Sequence, residues 1–365
     1  MIMSIYKVFS TPFGDKIYNP ITNEISNISK MLSNYLMTCN DYSDYSKFDD
    51  SLMTEYRILK DKRYFDKSPV QCLVNPITEY IEELLDRNMN QLVLQITQNC
   101  NLRCNYCAYT KNDGFQRTHS NKNMNKETAI KSLEFFRKHT IDSKDIRISF
   151  YGGEPFINYE LMKMLIEESN KFFQGKKLSF NVTTNGTVFN REILSFLEKY
   201  QVKLTISLDG NKNVHDANRK YNNSNEGSFE KIKENLFLIQ REYPDLFKNL
   251  SINMVMDPRF SYDEYKKIFK ELPILENTQV IANIVDDSML NEKIGYSPDF
   301  IGPYEYEKFL TVLDILGDRK YNEKLCYTEV MQLWAMLEQA LSLETLHNVA
   351  IPGGLSIPGY KKIFV

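Results

Sequence analysis

The sequence predicts an α/β chain built on six consecutive strand–helix units, with a small α+β domain before them and a helical extension after them. Three observations predict it. Six short apolar runs, rich in β-branched and aromatic residues, recur between residues 91 and 285. Amphipathic patterns with capping residues lie between them. The first four runs are each followed by a polar segment, three of these glycine-bearing.

Taken in order, residues 1–75 hold two short strands around turns, "YKVF" and "KIYNPITNEISNI", then a helical "SKMLSNYLM" and a polar "TCNDYSDYSKFDDS". Residues 76–90 read as a linker and 91–300 as the strand–helix array. Its strands are "QLVLQIT" (91–97), "IRISFY" (146–151), "LSFNVTT" (178–184), "KLTISLD" (203–209), "LSINMVM" (250–256) and "QVIANIV" (279–285). Their nearly continuous apolar character predicts burial on both faces. A helix over about 125–139 fits between the first two strands. Asn158 is placed to cap a helix whose Leu161, Leu165 and Phe172 share a face, with Gly175 closing it. Asn190 and Ser228 precede further helices, and Ser261 and Glu264 have capping-box spacing. Six such units imply parallel strands with right-handed crossovers, in an open doubly wound sheet or in a full or partial barrel. In either case ligands bind at the C-terminal ends of the strands. Residues 301–365 hold at least two helices, the second an amphipathic "EVMQLWAMLEQAL", and end on the strand-like "IPGGLSIPGYKKIFV".

With 365 residues, 42% hydrophobic and 13% aromatic, the chain can bury one large core and a smaller second one. A net charge of −3 gives no reason to expect nucleic acid or a membrane surface as partner. The N-terminus lacks the basic-then-apolar pattern of a secretory signal, and no apolar run reaches bilayer length, so a cytoplasmic chain is expected. Six cysteines in such a compartment do not predict a disulfide framework. Cys39, Cys72 and Cys326 are isolated and read as ordinary buried thiols.

Cys100, Cys104 and Cys107 crowd into "QNCNLRCNYCAY", immediately after the first strand of the array. Structural zinc takes four ligands, and His119 is the one nearby histidine that a Cys3His site could use. Ferredoxin clusters use other spacings and a fourth thiolate. Three thiolates on a tight loop can hold three corners of a cubane [4Fe–4S] cluster and leave the fourth iron open to a small molecule. The segments "GGEP", "TNGT" and "DGNKNVHDANR" end the next three strands and converge on the same mouth.

The C-x3-C-x2-C spacing, with Tyr106 before the last cysteine, resembles the radical S-adenosylmethionine (SAM) superfamily over roughly residues 90–290. The resemblance implies a partial (β/α)6 TIM-type barrel, with SAM chelated by the open iron. Cleavage by the reduced cluster then gives methionine and a 5′-deoxyadenosyl radical that abstracts hydrogen from substrate. By carry-over, Gly152, Gly153 and Glu154 of "YGGEP" would contact the SAM amino group. Asn185 in "TTNGT" would line the pocket, Ser207 would lie near the ribose or carboxylate, and Asp209 would face the substrate side. Arg219 is a candidate for the SAM carboxylate. Asn253 and the strand around Ile281–Val285 flank the adenosine or pack the core; His215 reads as a solvated or hydrogen-bonded histidine.

"CNLRCNYC", "GGEP", "TTNGT" and "ISLDG" together most resemble the branch that modifies peptides and proteins: SPASM-type maturases of ribosomally made peptides (RiPPs) and anaerobic sulfatase-maturating enzymes. That implies a precursor peptide or protein as substrate, a reducing electron donor, and a hydrogen abstraction that sets up a thioether or other crosslink. Residues 1–75 would be either a leader-peptide recognition domain or an unrelated cap. Ser356 stands where the auxiliary-cluster segment of such maturases carries a cysteine, so the expectation is a truncated SPASM-like segment, or a member without auxiliary clusters. The alternatives are a sulfatase-type or small-molecule radical SAM enzyme, and a non-catalytic cluster-binding partner.

Overall fold

The computed structural model describes residues 6–38, 48–66, 72–73, 80–110, 117–287, 293–317, 325–326, 329–335, 348–349 and 362–365. Cys39, Ser356 and most of the C-terminal segment around it lie outside the described residues. The chain divides into two compact units, Met1–Glu79 with Trp334–Gly354, and Tyr80–Leu333 with Leu355–Val365.

In the first unit the expected pair of strands is a three-stranded antiparallel meander, β1 (Lys7–Thr11), β2 (Gly14–Asn19) and β3 (Glu24–Ile28). "KIYNPITNEISNI" splits in two because the Asn19 side chain accepts from Ile21 N at 2.9 Å and Asn23 adopts φ 58°, turning the chain. Helices α1 (Lys30–Thr38) and α2 (Asp50–Asp61) cover one face, packing Leu32, Leu36, Leu52, Tyr56 and Leu59 on Ile17 and Ile28. Asp49 caps α2 by accepting from Leu52 N at 2.8 Å. β4 (Cys72–Leu73) follows.

The second unit begins within the expected linker, whose residues 81–87 form α3 (Ile81–Arg87). The array then runs β5 (Gln91–Thr97), α4 (Lys126–His139), β6 (Asp145–Gly152), α5 (Tyr159–Phe172), β7 (Lys177–Thr184), α6 (Arg191–Lys199), β8 (Lys203–Ser207), α7 (Lys212–Asn218), α8 (Phe229–Glu242), α9 (Pro244–Lys248), β9 (Leu250–Met256), α10 (Tyr262–Lys266), α11 (Ile268–Glu271), β10 (Gln279–Ile284) and α12 (Pro298–Ile315). Residues 329–335 of the second expected C-terminal helix are helical. β11 (Asn348–Val349) pairs in parallel with β4, and β12 (Lys362–Phe364) pairs in parallel with β5.

The sheet order is β10-β9-β8-β7-β6-β5-β12, all parallel. The six strands of the array are in sequential order with no reversal. Right-handed crossovers therefore place every connecting helix on the same face, which rules out the doubly wound alternative. Among the described residues neither β10 nor β12 has a second neighbour, so the barrel is partial.

This topology corrects the expectation of strands buried on both faces. Burial alternates along β5, β6, β7 and β9. Leu92, Leu94, Ile96, Ile148, Phe150, Val182, Ile206 and Met254 pack in the core under the helices. The other face is half-buried and polar, with Gln91 Nε2 donating to Ser149 Oγ at 3.0 Å and Thr205 and Ser251 hydroxyls paired at 3.0 Å.

Three caps differ from expectation. Asn158 ends a 3-10 turn, and its Nδ2 donates to the Ile96 carbonyl at 2.9 Å instead of capping α5. Ser228 and Ser261 make no side-chain cap either, while Asn125 and Asn190 cap α4 and α6 by accepting from Thr128 N and Ile193 N.

Candidate active site

The loop after β5 is held to the rest of the mouth through both backbone and side chains. Gly153 N donates to the Thr97 carbonyl at 2.9 Å and Glu154 N to the Asn99 carbonyl at 2.7 Å. Added Cβ atoms would stand 2.5 Å from Thr97 O at Gly152 and 2.0 Å from Asn99 O at Gly153. The two glycines therefore admit the backbone of the cysteine loop, besides leaving backbone exposed to a ligand. On the other side, Arg103 N donates to Lys220 O at 2.8 Å, Asn105 N to Asn218 O at 3.0 Å, and Asn222 N to Asn101 O at 2.9 Å. The Asn101 side chain joins Thr187 Oγ1 and Asn185 Nδ2, both at 2.8 Å.

Cys100, Cys104 and Cys107 all reach one cavity of about 320 Å³. Its wall also carries Tyr106, Gly152, Gly153, Asn185, Ser207 and Arg219, which the sequence singled out, and Asn253. The strand around Ile281–Val285 is not part of this wall. Burial pushes the Cys100 thiol up to about 11 and the Cys104 thiol up to about 12, so each would hold its proton at neutral pH until a metal displaces it. Cys100 Sγ accepts from Leu102 N at 3.4 Å and faces Asn185 Nδ2 at 3.9 Å. Among the described residues no three His, Cys, Asp or Glu side chains converge on one point that a single ion could occupy. Three thiols spread along one wall suit ligation to separate irons of a cluster.

Glu154 and Asp209 reach the site but are absent from the cavity wall. Glu154 is fully buried, accepting from Phe156 N at 3.1 Å, Thr184 Oγ1 at 2.8 Å and Asn185 N at 2.7 Å. Its carboxyl, raised to about 7 by burial against those three donors, ties the "GGEP" loop to the "TTNGT" loop. It is thus turned away from any ammonium in the cavity. Asp209 sits at the centre of a buried network. Arg219 donates to it through Nε at 2.7 Å and Nη2 at 3.1 Å, Val255 N at 2.9 Å, and Tyr106 through its hydroxyl. The Arg219 guanidinium also lies 5.4 Å from the Tyr106 ring centroid. Arg219 therefore meets the cavity already paired with Asp209.

His215 is hydrogen-bonded and fully buried beneath this network. Asp209 N donates to its Nδ1 at 3.1 Å, so the proton is on Nε2, which donates to Ser228 Oγ at 3.0 Å; Ser228 in turn donates to the Arg219 carbonyl at 3.1 Å. Burial lowers the imidazole to about 4.

The wall also contains Tyr151 and Thr183, and Tyr109 and His119, which the sequence reading did not assign to this pocket. Tyr151 and Thr183 are the first residues of "YGGEP" and "TTNGT", segments the sequence already placed at this mouth. Burial and the charges of Arg103 and Arg117 hold the His119 imidazole below its usual range.

The radical SAM superfamily model matches residues 94–272. The chain is 26% identical over 222 residues to an uncharacterized protein of Methanocaldococcus jannaschii, covering 58% of this chain and 74% of that one. It is 27% identical over 232 residues to a cysteine-type anaerobic sulfatase-maturating enzyme of Clostridium novyi, covering 62% of this chain and 59% of that one. A solved structure described as native anSMEcpe with bound AdoMet and Cp18Cys peptide superposes with a TM-score of 0.49 at 24% identity, over 64% of this chain and 62% of that one. The match thus spans less than two thirds of the sulfatase-maturating enzyme.

Proposed function

Residues 94–272 form a radical SAM domain, and from that premise we propose that the chain is a peptide or protein maturase whose Cys100, Cys104 and Cys107 hold the [4Fe–4S] cluster on which SAM binds. The observation that carries this is the position of all three thiols on one cavity at the C-terminal ends of the parallel strands. When bound and reduced, the cluster supplies the electron that cleaves SAM and so provides the radical for hydrogen abstraction.

The chain's own residues bind, orient and exclude water. Tyr106, fixed by Asp209 and Arg219, holds the stretch between Cys104 and Cys107 against the sheet. Gly152 and Gly153 line the cavity and Glu154 does not, so it is backbone at the two glycines that would meet the amino group of SAM. Asn185, Ser207 and Asn253 offer hydrogen bonds to the polar remainder of SAM.

The likeness to the sulfatase-maturating enzyme of Clostridium novyi favours a protein side chain as the alternative target. The three-stranded meander of the first unit leaves β1 and β3 as edges among the described residues, and either could take an added peptide strand. Electron delivery requires a reducing donor. Among the described residues no helix is long and apolar enough to cross a membrane.

The test is anaerobic reconstitution followed by iron and sulfide analysis and detection of 5′-deoxyadenosine from SAM under reductant. About four irons per chain and deoxyadenosine release, both lost in the Cys100→Ala/Cys104→Ala/Cys107→Ala variant, are expected. Zinc in place of iron, or a cluster that never cleaves SAM, would overturn the reading. Deoxyadenosine formation stimulated by a leader-bearing precursor peptide, and not by a sulfatase-derived peptide, would separate the two targets.

A further inference from the structure

One histidine on the cavity wall approaches a cysteine sulfur from outside the cysteine loop. His119 lies on the segment that returns behind the cysteine loop, and the backbone fixes it on both sides. His119 N donates to the Tyr109 carbonyl at 3.3 Å, and Ser120 N donates to the Gln98 carbonyl at 3.3 Å. The Ser120 hydroxyl adds a bond to Gln98 Oε1 at 2.7 Å. The imidazole meets the Tyr109 ring edge-on, centroids 6.1 Å apart. This placement brings Nε2 to 3.9 Å from Cys107 Sγ and 3.2 Å from Thr110 Oγ1.

We propose that His119 donates an Nε2–H hydrogen bond to the Cys107 sulfur once that sulfur is a cluster-bound thiolate, and so raises the reduction potential of the cluster. The inference rests on the cluster reading under Proposed function. A thiolate carries no proton and can only accept, so a nitrogen in contact with it is held in the protonated tautomer. Thr110 Oγ1 competes for the same proton while Cys107 is a thiol. The charged sulfur is the stronger acceptor once ligation removes that proton. Hydrogen bonds to cluster sulfurs are among the levers that set iron–sulfur potentials, because they stabilise the more negative reduced state more than the oxidised one. His119 is therefore a positioning and tuning residue.

The experiment uses the full chain, reconstituted without oxygen, as wild type, His119→Phe and His119→Gln. Phe keeps a planar ring but has no donor; Gln restores an N–H at a similar reach. Iron and sulfide are measured first, then the midpoint potential by a redox titration followed by electron paramagnetic resonance without SAM. The expected result is full iron in all three and a more negative midpoint for His119→Phe. Because the oxidised state keeps part of the bond's benefit, its removal should lower the reduced-to-oxidised ratio by at most roughly fivefold at the wild-type midpoint. His119→Gln should return toward wild type. A fully loaded His119→Phe chain with the wild-type midpoint overturns the proposal. Loss of iron in both variants also overturns it, assigning the ring to loop packing. A wild-type chain that takes up no cluster fails the functional reading itself, and with it this inference.

Discussion

Replacing Gly153 with alanine tests how the cysteine loop is built. The added Cβ would stand 2.0 Å from Asn99 O, 2.5 Å from Asn99 C and 3.0 Å from Cys100 N, all backbone atoms that no rotamer change can move. To reach the shortest contact that real Cβ atoms show, about 3 Å, the two segments must part by about 1 Å. The bonds from Gly153 N to Thr97 O at 2.9 Å and from Glu154 N to Asn99 O at 2.7 Å lie at the same point. A separation of that size takes both past the length at which a contact counts as a hydrogen bond. Two lost bonds at about 1 kcal/mol each, with about 1–3 kcal/mol of overpacking, put the cost at about 3–5 kcal/mol if the loop stays in place.

A surface loop relieves that cost by moving, and the residue that moves with Asn99 is Cys100. Metal–ligand distances tolerate about 0.2 Å, so a shift several times larger should empty the cluster site. Gly153→Ala is expected to take up well under half the wild-type iron after anaerobic reconstitution, and to melt earlier. Gly295→Ala, whose added Cβ meets nothing within 4 Å, is the control and should match wild type in both. Wild-type iron content together with an unchanged melting temperature in Gly153→Ala would refute the backbone-approach account.

The other expectations concern the buried network and one cap. Asp209→Asn leaves the buried Arg219 guanidinium without its carboxylate, and should destabilise the chain by about 3–5 kcal/mol in denaturant melts. It should also loosen Tyr106 and lower iron loading; a variant stable to within 1 kcal/mol of wild type would contradict the ion-pair argument. His215, at about 4 when folded against roughly 6.5 unfolded, should cost stability as pH falls from 6.5 to 4, because the unfolded chain takes up the proton first. Glu154, raised to about 7, acts with the opposite sign, its contribution full below about 4.5 and lost as pH rises through 7. The two nearly cancel between 4.5 and 6.5, so His215→Gln should uncover the Glu154 term. The stability lead of wild type over that variant should shrink by about 2 kcal/mol between pH 7 and pH 5, and a pH-independent lead would count against the His215 assignment. Asn190→Ala removes the acceptor for Ile193 N and should cost about 1 kcal/mol by thermal melting.

The strands and the three cysteines were legible because their signals are local. A short run rich in β-branched and aromatic residues marks a strand even where the face it buries is misjudged, and a C-x3-C-x2-C loop carries its chemistry in adjacent residues. What the sequence hid is which partner each polar side chain takes. Asn158 and Ser228 have the residue type and place of helix caps, yet Asn158 bonds the end of β5 and Ser228 joins His215 to Arg219. Arg219 and Asp209 were both expected in the pocket as separate contacts. Their pairing depends on α7 folding back over the mouth, which no spacing rule reports.

The glycine pair carries this furthest. Beside a ligand-binding loop, "GGEP" reads as room for a small molecule, and the cavity does touch both glycines. The same lack of side chains lets Thr97 and Asn99 lie against them, while Glu154 crosses to Thr184 and Asn185. One four-residue segment thus ties the end of β5 to the end of β7, and a residue pattern alone cannot separate the role of holding the mouth together from that of meeting the ligand. The two roles make different demands. A motif that only met the ligand would tolerate alanine in the absence of SAM, whereas one that also holds the cysteine loop should fail at cluster uptake, before SAM is added.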